Sequence, residues 1–182
     1  MSKKIILVIV LIVVIAGAGY GIFRLQERTE QPQGAQTFTL DPKNCTYTID
    51  GKNITLVNGY SEQEMVPGSA SKIITQYFGN EVTGDFNDNG ISDKAFLITQ
   101  DAGGSGTFYY VAVALGDEGK CAGTNAILLG DRIAPQTTEY RDGKIIVNYA
   151  ERKPNEPMTA RPSVGVSKYL EISGDQLVEA QK

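Results

Sequence analysis

This chain has no histidine and no tryptophan among its 182 residues, and only two cysteines. Without histidine there is no Ser-His-Asp triad, no Cys-His pair and no His-ligated zinc or iron centre. Acid–base work would fall to carboxylates, lysine, tyrosine or a metal. Two cysteines do not make a structural zinc site on their own. Cys45 and Cys121 therefore leave two readings, a disulfide closing a long loop or a pair of buried thiols, and an oxidising compartment favours the first. A basic stripe is missing as well. The formal charge is −4, from 17 basic and 21 acidic residues. Setting aside Lys3, Lys4 and Arg24 leaves 14 basic residues against the same 21 acidic ones, or −7. That balance argues against nucleic acid as a partner.

One long hydrophobic run is present. Residues 5–23, IILVIVLIVVIAGAGYGIF, carry no charge and lie between Lys3-Lys4 and Arg24. Nineteen helical residues span about 28 Å, close to the hydrocarbon thickness of a bilayer. The expectation is a signal-anchor over residues 1–26, with the membrane as partner through 5–23 and the remainder outside the cytoplasm. The alternative is secretion after cleavage near Ala18, where Ala16-Gly17-Ala18 has the small-x-small form. Residues 27–40 follow as a polar stalk with Pro32 and Gly34.

Residues 41–182 read as a single β-rich extracytoplasmic domain, an antiparallel sandwich or open barrel. Strands are expected in 45–57 with a hairpin at Asp50-Gly51, in 72–78, 94–99, 107–115, 125–129, 144–150 and 167–172, and a short last one at 176–179. Asp142-Gly143 marks another turn. TFYYVAVAL, residues 107–115, is apolar on both alternating faces and reads as a central strand buried on two sides. A short helix or turn is expected near 61–71, and a long proline-containing loop over 151–165.

The stretch GDFNDNGISDKAFLIT, residues 84–99, carries the clearest chemistry. Oxygen side chains alternate at Asp85, Asn87 and Asn89. Gly90 permits a sharp turn, Ile91 offers its carbonyl and Asp93 supplies a further carboxylate. Calcium is held by six to eight hard oxygens on such a backbone. The bidentate glutamate of an EF-hand is absent, since that place is Phe96. The other reading is a polar turn, because Asn-Asp-Asn-Gly also suits one. A simple turn does not need alternating oxygens with another, Asp93, three residues beyond Gly90. With two carboxylates in the set, affinity falls in the ~0.1–1 mM class and the ion's role is structural.

This loop resembles FG-GAP-type strand–loop–strand calcium sites. The segments GDFNDNGISDKAFLIT, GGSGTFYYVAVAL, LGDRI, RDGKIIVNYA, EPMTARP and YLEISGDQLV, in this order from about residue 80 to 180, are similar to exported bacterial domains of the kind described as LppP/LprE-like lipoproteins. Paired cysteines common after the Pro-Met of that family are here Thr159-Ala160. The resemblance implies a bacterial cell-envelope domain and brings no catalytic residues.

The functional expectation is a membrane-tethered envelope module with a structural calcium loop, binding or supportive, without catalysis. Two other readings stand beside it. SGTFYY, residues 105–110, superficially resembles the loop of periplasmic lysozyme inhibitors, with Ser105, Gly106 and Tyr109 as partner residues. Asp85, Asp93, Asp101, Asp131 and Glu156 could serve a carboxylate-dependent hydrolase. Carbohydrate stacking would need Tyr60, Tyr109 or Tyr140 exposed.

Overall fold

The computed structural model describes residues 39–117 and 119–182. The expected anchor, its cleavage position and most of the stalk lie outside these residues. Among the described residues no helix is long and apolar enough to cross a membrane.

A single 3-10 turn, Pro42–Asn44, opens the fold, and Asp41 caps it by accepting a hydrogen bond from Lys43 N at 3.0 Å. Twelve strands follow among the described residues. They are β1 (Thr46–Ile49), β2 (Lys52–Thr55), β3 (Tyr60–Glu64), β4 (Lys72–Gly84), β5 (Asp93–Asp101), β6 (Phe108–Asp117), β7 (Lys120–Gly123), β8 (Ile127–Asp131), β9 (Ala134–Arg141), β10 (Lys144–Glu151), β11 (Val164–Ser173) and β12 (Gln176–Glu179). All strand pairings are antiparallel.

They form three sheets. β1 and β2 make a two-stranded hairpin, β3-β4-β5-β6-β7 run in order with β8 also on β6, and β12-β11-β10-β9 make the third. Along β6 the two faces separate by the period of two. Val111, Val113 and Leu115 face a core shared with Ile145, Val147, Tyr149, Leu170 and Leu177 of the third sheet. Tyr110, Ala112 and Ala114 face a second core with Tyr47, Ile49, Ile54 and Leu56 of the hairpin layer. The six-stranded sheet is thus covered on both faces, and β6 is buried from Tyr110 to Gly116. Leu40, at the end of the expected stalk, already belongs to the second core.

Both Asp-Gly turns adopt the backbone their residues favour. Asp50 and Gly51 have φ of 48° and 75°, and Asp142 and Gly143 have 53° and 73°. Positive φ at both central residues matches the right-handed twist of the strands they join. Several boundaries differ from expectation. Of the short helix or turn expected near 61–71, the turn is present but only over 65–71, because residues 60–64 form a strand. β4 continues to Gly84 through irregular register at Tyr77/Gly79 and Gly79/Val82, and bulges let a strand bend without ending. β9 lies outside the expected strands, because Pro135 and two threonines disguise it. Its pairing with β10 makes it a strand.

Cys45 and Cys121 form a disulfide, with Cα atoms 5.8 Å apart and a sequence separation of 76. It fastens the start of the hairpin layer to β7. The segment between β7 and β8 adds more ties. Thr48 N donates to Thr124 O (3.1 Å), Ala126 N to Thr48 O (2.8 Å) and Thr124 N to Val113 O (3.0 Å).

Candidate functional site

The oxygen loop joins the end of β4 to the start of β5, beside the far end of β6. Its side chains turn inward onto its own backbone. Asp85 Oδ1 accepts from Asn89 N at 3.1 Å and its Oδ2 from Gly90 N at 2.8 Å. Asn87 Oδ1 accepts from Asn89 N at 3.3 Å, and Asn89 Oδ1 from Ile91 N at 2.7 Å. The side chains at 85, 87 and 89 thus fold onto the amides of residues 89–91, with Asp85 and Asn87 sharing the Asn89 amide. Asp88 has φ of 58°, is exposed, and is free of these contacts.

Asp93 plays a different part from the other three. It is fully buried. Its Oδ2 accepts from Phe86 N at 2.8 Å and its Oδ1 from Gly116 N at 2.9 Å. Burial pushes its carboxyl up from the ordinary range, while the Phe86 and Gly116 amides pull it down. Asp93 so fastens the loop to β6. Asn89 Nδ2 adds a second fastening by donating to Gly116 O at 3.0 Å. Gly116 must be glycine here. A Cβ on it would meet Ile91 Cγ2 at 2.6 Å and Ser92 O at 2.9 Å. On the outer side, the Tyr140 hydroxyl donates to Asp85 O at 3.1 Å and its ring packs edge-on against Phe86 with centroids 4.7 Å apart.

The expected donors suit a hard cation by type, two carboxylates, two carboxamide oxygens and the Ile91 carbonyl, but the hydrogen bonds bring together only Asp85, Asn87 and Asn89, while Asp93 turns to the Phe86 and Gly116 amides. Each amide-bonded oxygen keeps a second lone pair. Among the described residues, the 85–93 loop included, no three Asp, Glu, Cys or His side chains are grouped so as to hold a metal ion.

The other candidate carboxylates are turned onto nearby backbone. Asp101 Oδ1 accepts from Gly103 N at 2.7 Å, and Glu156 Oε2 from Lys153 N at 3.0 Å. Asp131 Oδ1 accepts from Thr107 N at 2.9 Å, and its carboxylate takes a forked pair of hydrogen bonds from Arg132. The Arg132 guanidinium beside it holds the Asp131 carboxyl below the usual range. Arg152 then clamps the neighbouring loops, donating to Ala160 O at 2.7 Å and Arg132 O at 3.0 Å.

Ser105 is exposed in the loop before β6, while Gly106 is half-buried under the Phe108 ring. The Tyr109 ring lies edge-on against Phe78, centroids 5.3 Å apart, so it belongs to the sheet surface rather than the loop. Tyr60 is 41% exposed and donates to Glu62 at 2.8 Å. A cavity of about 530 Å³ beside the 3-10 turn is lined by Lys43, Tyr77, Glu81 and Lys94. Within it Lys94 lies 3.0 Å from Glu81 and Lys43 stands over the Tyr77 ring.

The sequence pattern found the oxygen loop but gave no sign of Gly116, 23 residues beyond Asp93, as the loop's floor. Comparisons with protein-family models, curated proteins and solved structures return no match for this chain.

Proposed function

We propose that this chain is a membrane-tethered, extracytoplasmic cell-envelope module whose 85–93 loop holds a structural calcium ion. The observation that carries the metal reading is the inward convergence of Asp85, Asn87 and Asn89 onto the amides of residues 89, 90 and 91. The ion would be held by these three side chains, with the Ile91 carbonyl and a second-lone-pair contact from Asp93. It would neutralise the loop's negative field and stiffen the join of β4 to β5. The tether rests on residues 5–23, and the bacterial envelope setting on the LppP/LprE-like resemblance. The role is to bind or support a partner rather than to catalyse, because the candidate carboxylates outside the loop are held by local amides or Arg132.

Thermal melting of the full chain in detergent, with and without calcium, tests this. At about ten times Kd a ligand of the native state contributes RT ln 11, about 1.4 kcal/mol. That raises Tm by about 3–6 °C for a domain of this size. Asp85→Ala should abolish the rise. An equal rise in the variant would move the calcium effect elsewhere.

A further inference from the structure

Asp41, Lys43, Tyr77, Glu81 and Lys94 meet around the cavity of about 530 Å³ beside the 3-10 turn. That volume lies within the roughly 300–1,000 Å³ of small-molecule sites. Both carboxylates of the cavity are engaged. Asp41 is turned onto the 3-10 turn, accepting from Lys43 N at 3.0 Å and from Asn44 Nδ2 at 2.6 Å. Glu81 Oε1 accepts from Lys94 Nζ at 3.0 Å, and its Oε2 from the Tyr77 hydroxyl at 2.5 Å. Each carboxylate oxygen thus has a donor.

The ammonium groups are not matched in the same way. An ammonium carries three donors and no acceptor. Among the described residues Lys43 Nζ makes neither a hydrogen bond nor a salt bridge, and stands 5.0 Å from the centre of the Tyr77 ring. Lys94 Nζ uses one donor, on Glu81. The Tyr77 hydroxyl above all, then Lys94 and Lys43, hold the Glu81 carboxyl below its ordinary range against the opposing effect of burial. Both ammoniums therefore bear on one carboxylate, and the cavity keeps spare donors at Lys43 and Lys94. A second cavity of about 240 Å³ adjoins it, sharing Thr39, Leu40 and Lys94. Leu40 and Ile91 give this second space apolar walls.

We propose that Lys43 and Lys94 bind the carboxylate of a small amphipathic acid, whose apolar body lies along Leu40 toward Ile91. The balance of donors and charge selects this class. Spare ammonium donors suit an acceptor-rich anionic head, and their hydrogen bonds to a carboxylate are charge-assisted. Asp41 and Glu81 stand in the same cavity and oppose a second negative charge, which favours a carboxylate over a phosphate dianion. The polar and the apolar space meet at Lys94, which sets the head on one side of it and the body on the other. Lys43 comes from the 3-10 turn and Lys94 from β5, so the head joins two elements far apart in the chain. Neither the calcium ion nor the tether is needed for this site.

Saturation-transfer NMR of the full chain in deuterated detergent, with protein-free micelles as the blank, tests this. The probes share a phenylalkyl body: hydrocinnamate, uncharged hydrocinnamyl alcohol and phenethyl phosphate, the last above neutral pH where it is a dianion. Hydrocinnamate should bind reversibly and more tightly than the other two. Lys43 is exposed and its ammonium holds nothing else in the fold, so Lys43→Gln should melt with the parent protein. It should weaken hydrocinnamate about ten-fold, the scale of one charge-assisted hydrogen bond. Lys52→Gln, on exposed β2 outside the cavity, should leave binding unchanged. Absence of transfer from hydrocinnamate up to its solubility limit overturns the proposal. Equal binding by Lys43→Gln also overturns it, by placing the probe elsewhere. The alcohol binding as tightly as the acid removes the role of the ammoniums, and tighter binding of the phosphate overturns the choice of a carboxylate.

Discussion

The side chain of Asn125 pairs with the backbone of Leu177 as a neighbouring strand would. Its Nδ2 donates to Leu177 O at 3.0 Å and its Oδ1 accepts from Leu177 N at 2.8 Å. Its own backbone lies in a parallel bridge with Thr48. One residue therefore links the hairpin layer, the six-stranded sheet and the edge of the third sheet. Asn125→Ala would leave both groups of Leu177 unpaired beside a buried side chain. The expected loss is about 1–3 kcal/mol, read by chemical denaturation.

Gly123 faces a harder constraint. A Cβ there would meet Thr46 O at 2.1 Å and Tyr47 Cδ1 at 2.7 Å. Gly123→Ala should force β1 away from β7 and destabilise by about 3 kcal/mol or more, the scale of overpacking against rigid backbone. Loss of Tyr47 burial would appear as a change in near-ultraviolet circular dichroism.

The Cys45–Cys121 bond encloses 76 residues of sequence separation. In the chain-entropy model such a loop contributes on the order of 4 kcal/mol. The Cys45→Ala/Cys121→Ala double variant should be less stable by about that amount, and addition of reductant should then leave its melting curve unchanged.

Much of this fold was legible in the chain. The Asp-Gly pairs marked their turns because few residues accept positive φ in succession, and β6 announced its burial by being apolar on both faces. β9 and β7 were not legible. Pro135 argues against a strand unless the neighbour is known, and Lys120–Gly123 is too short to show a period. The site divides in the same way. Alternating oxygens at 85, 87 and 89 are local and visible. Asp93 as fastener, Gly116 as floor and Asn125 as edge cap depend on partners 23 to 52 residues away.

Asp131 gives the acid response a direction. Arg132 above all, helped by the Thr107 amide, holds its folded carboxyl below the ordinary range against a raising effect of burial that is second only to that of Arg132. A depressed folded pKa contributes stability that is present above the unfolded pKa and lost as pH falls through the folded one. Asp131→Asn should therefore lower stability at neutral pH and flatten the decline below about pH 4. Parallel acid limbs in the two proteins would contradict this.

The metal loop is the central claim, and the absence of tryptophan offers a direct test of it. Terbium replaces calcium at oxygen sites and luminesces when a nearby aromatic ring transfers energy to it. The Tyr140 hydroxyl is 3.1 Å from Asp85 O, which places its ring beside the loop. Titration of the full chain with terbium should give tyrosine-sensitised emission that excess calcium displaces. Tyr140→Phe should lose most of the emission, and Asp85→Ala should lose the binding. Emission that survives Asp85→Ala, or none in the parent protein at millimolar terbium, would reduce residues 85–93 to a self-bonded turn.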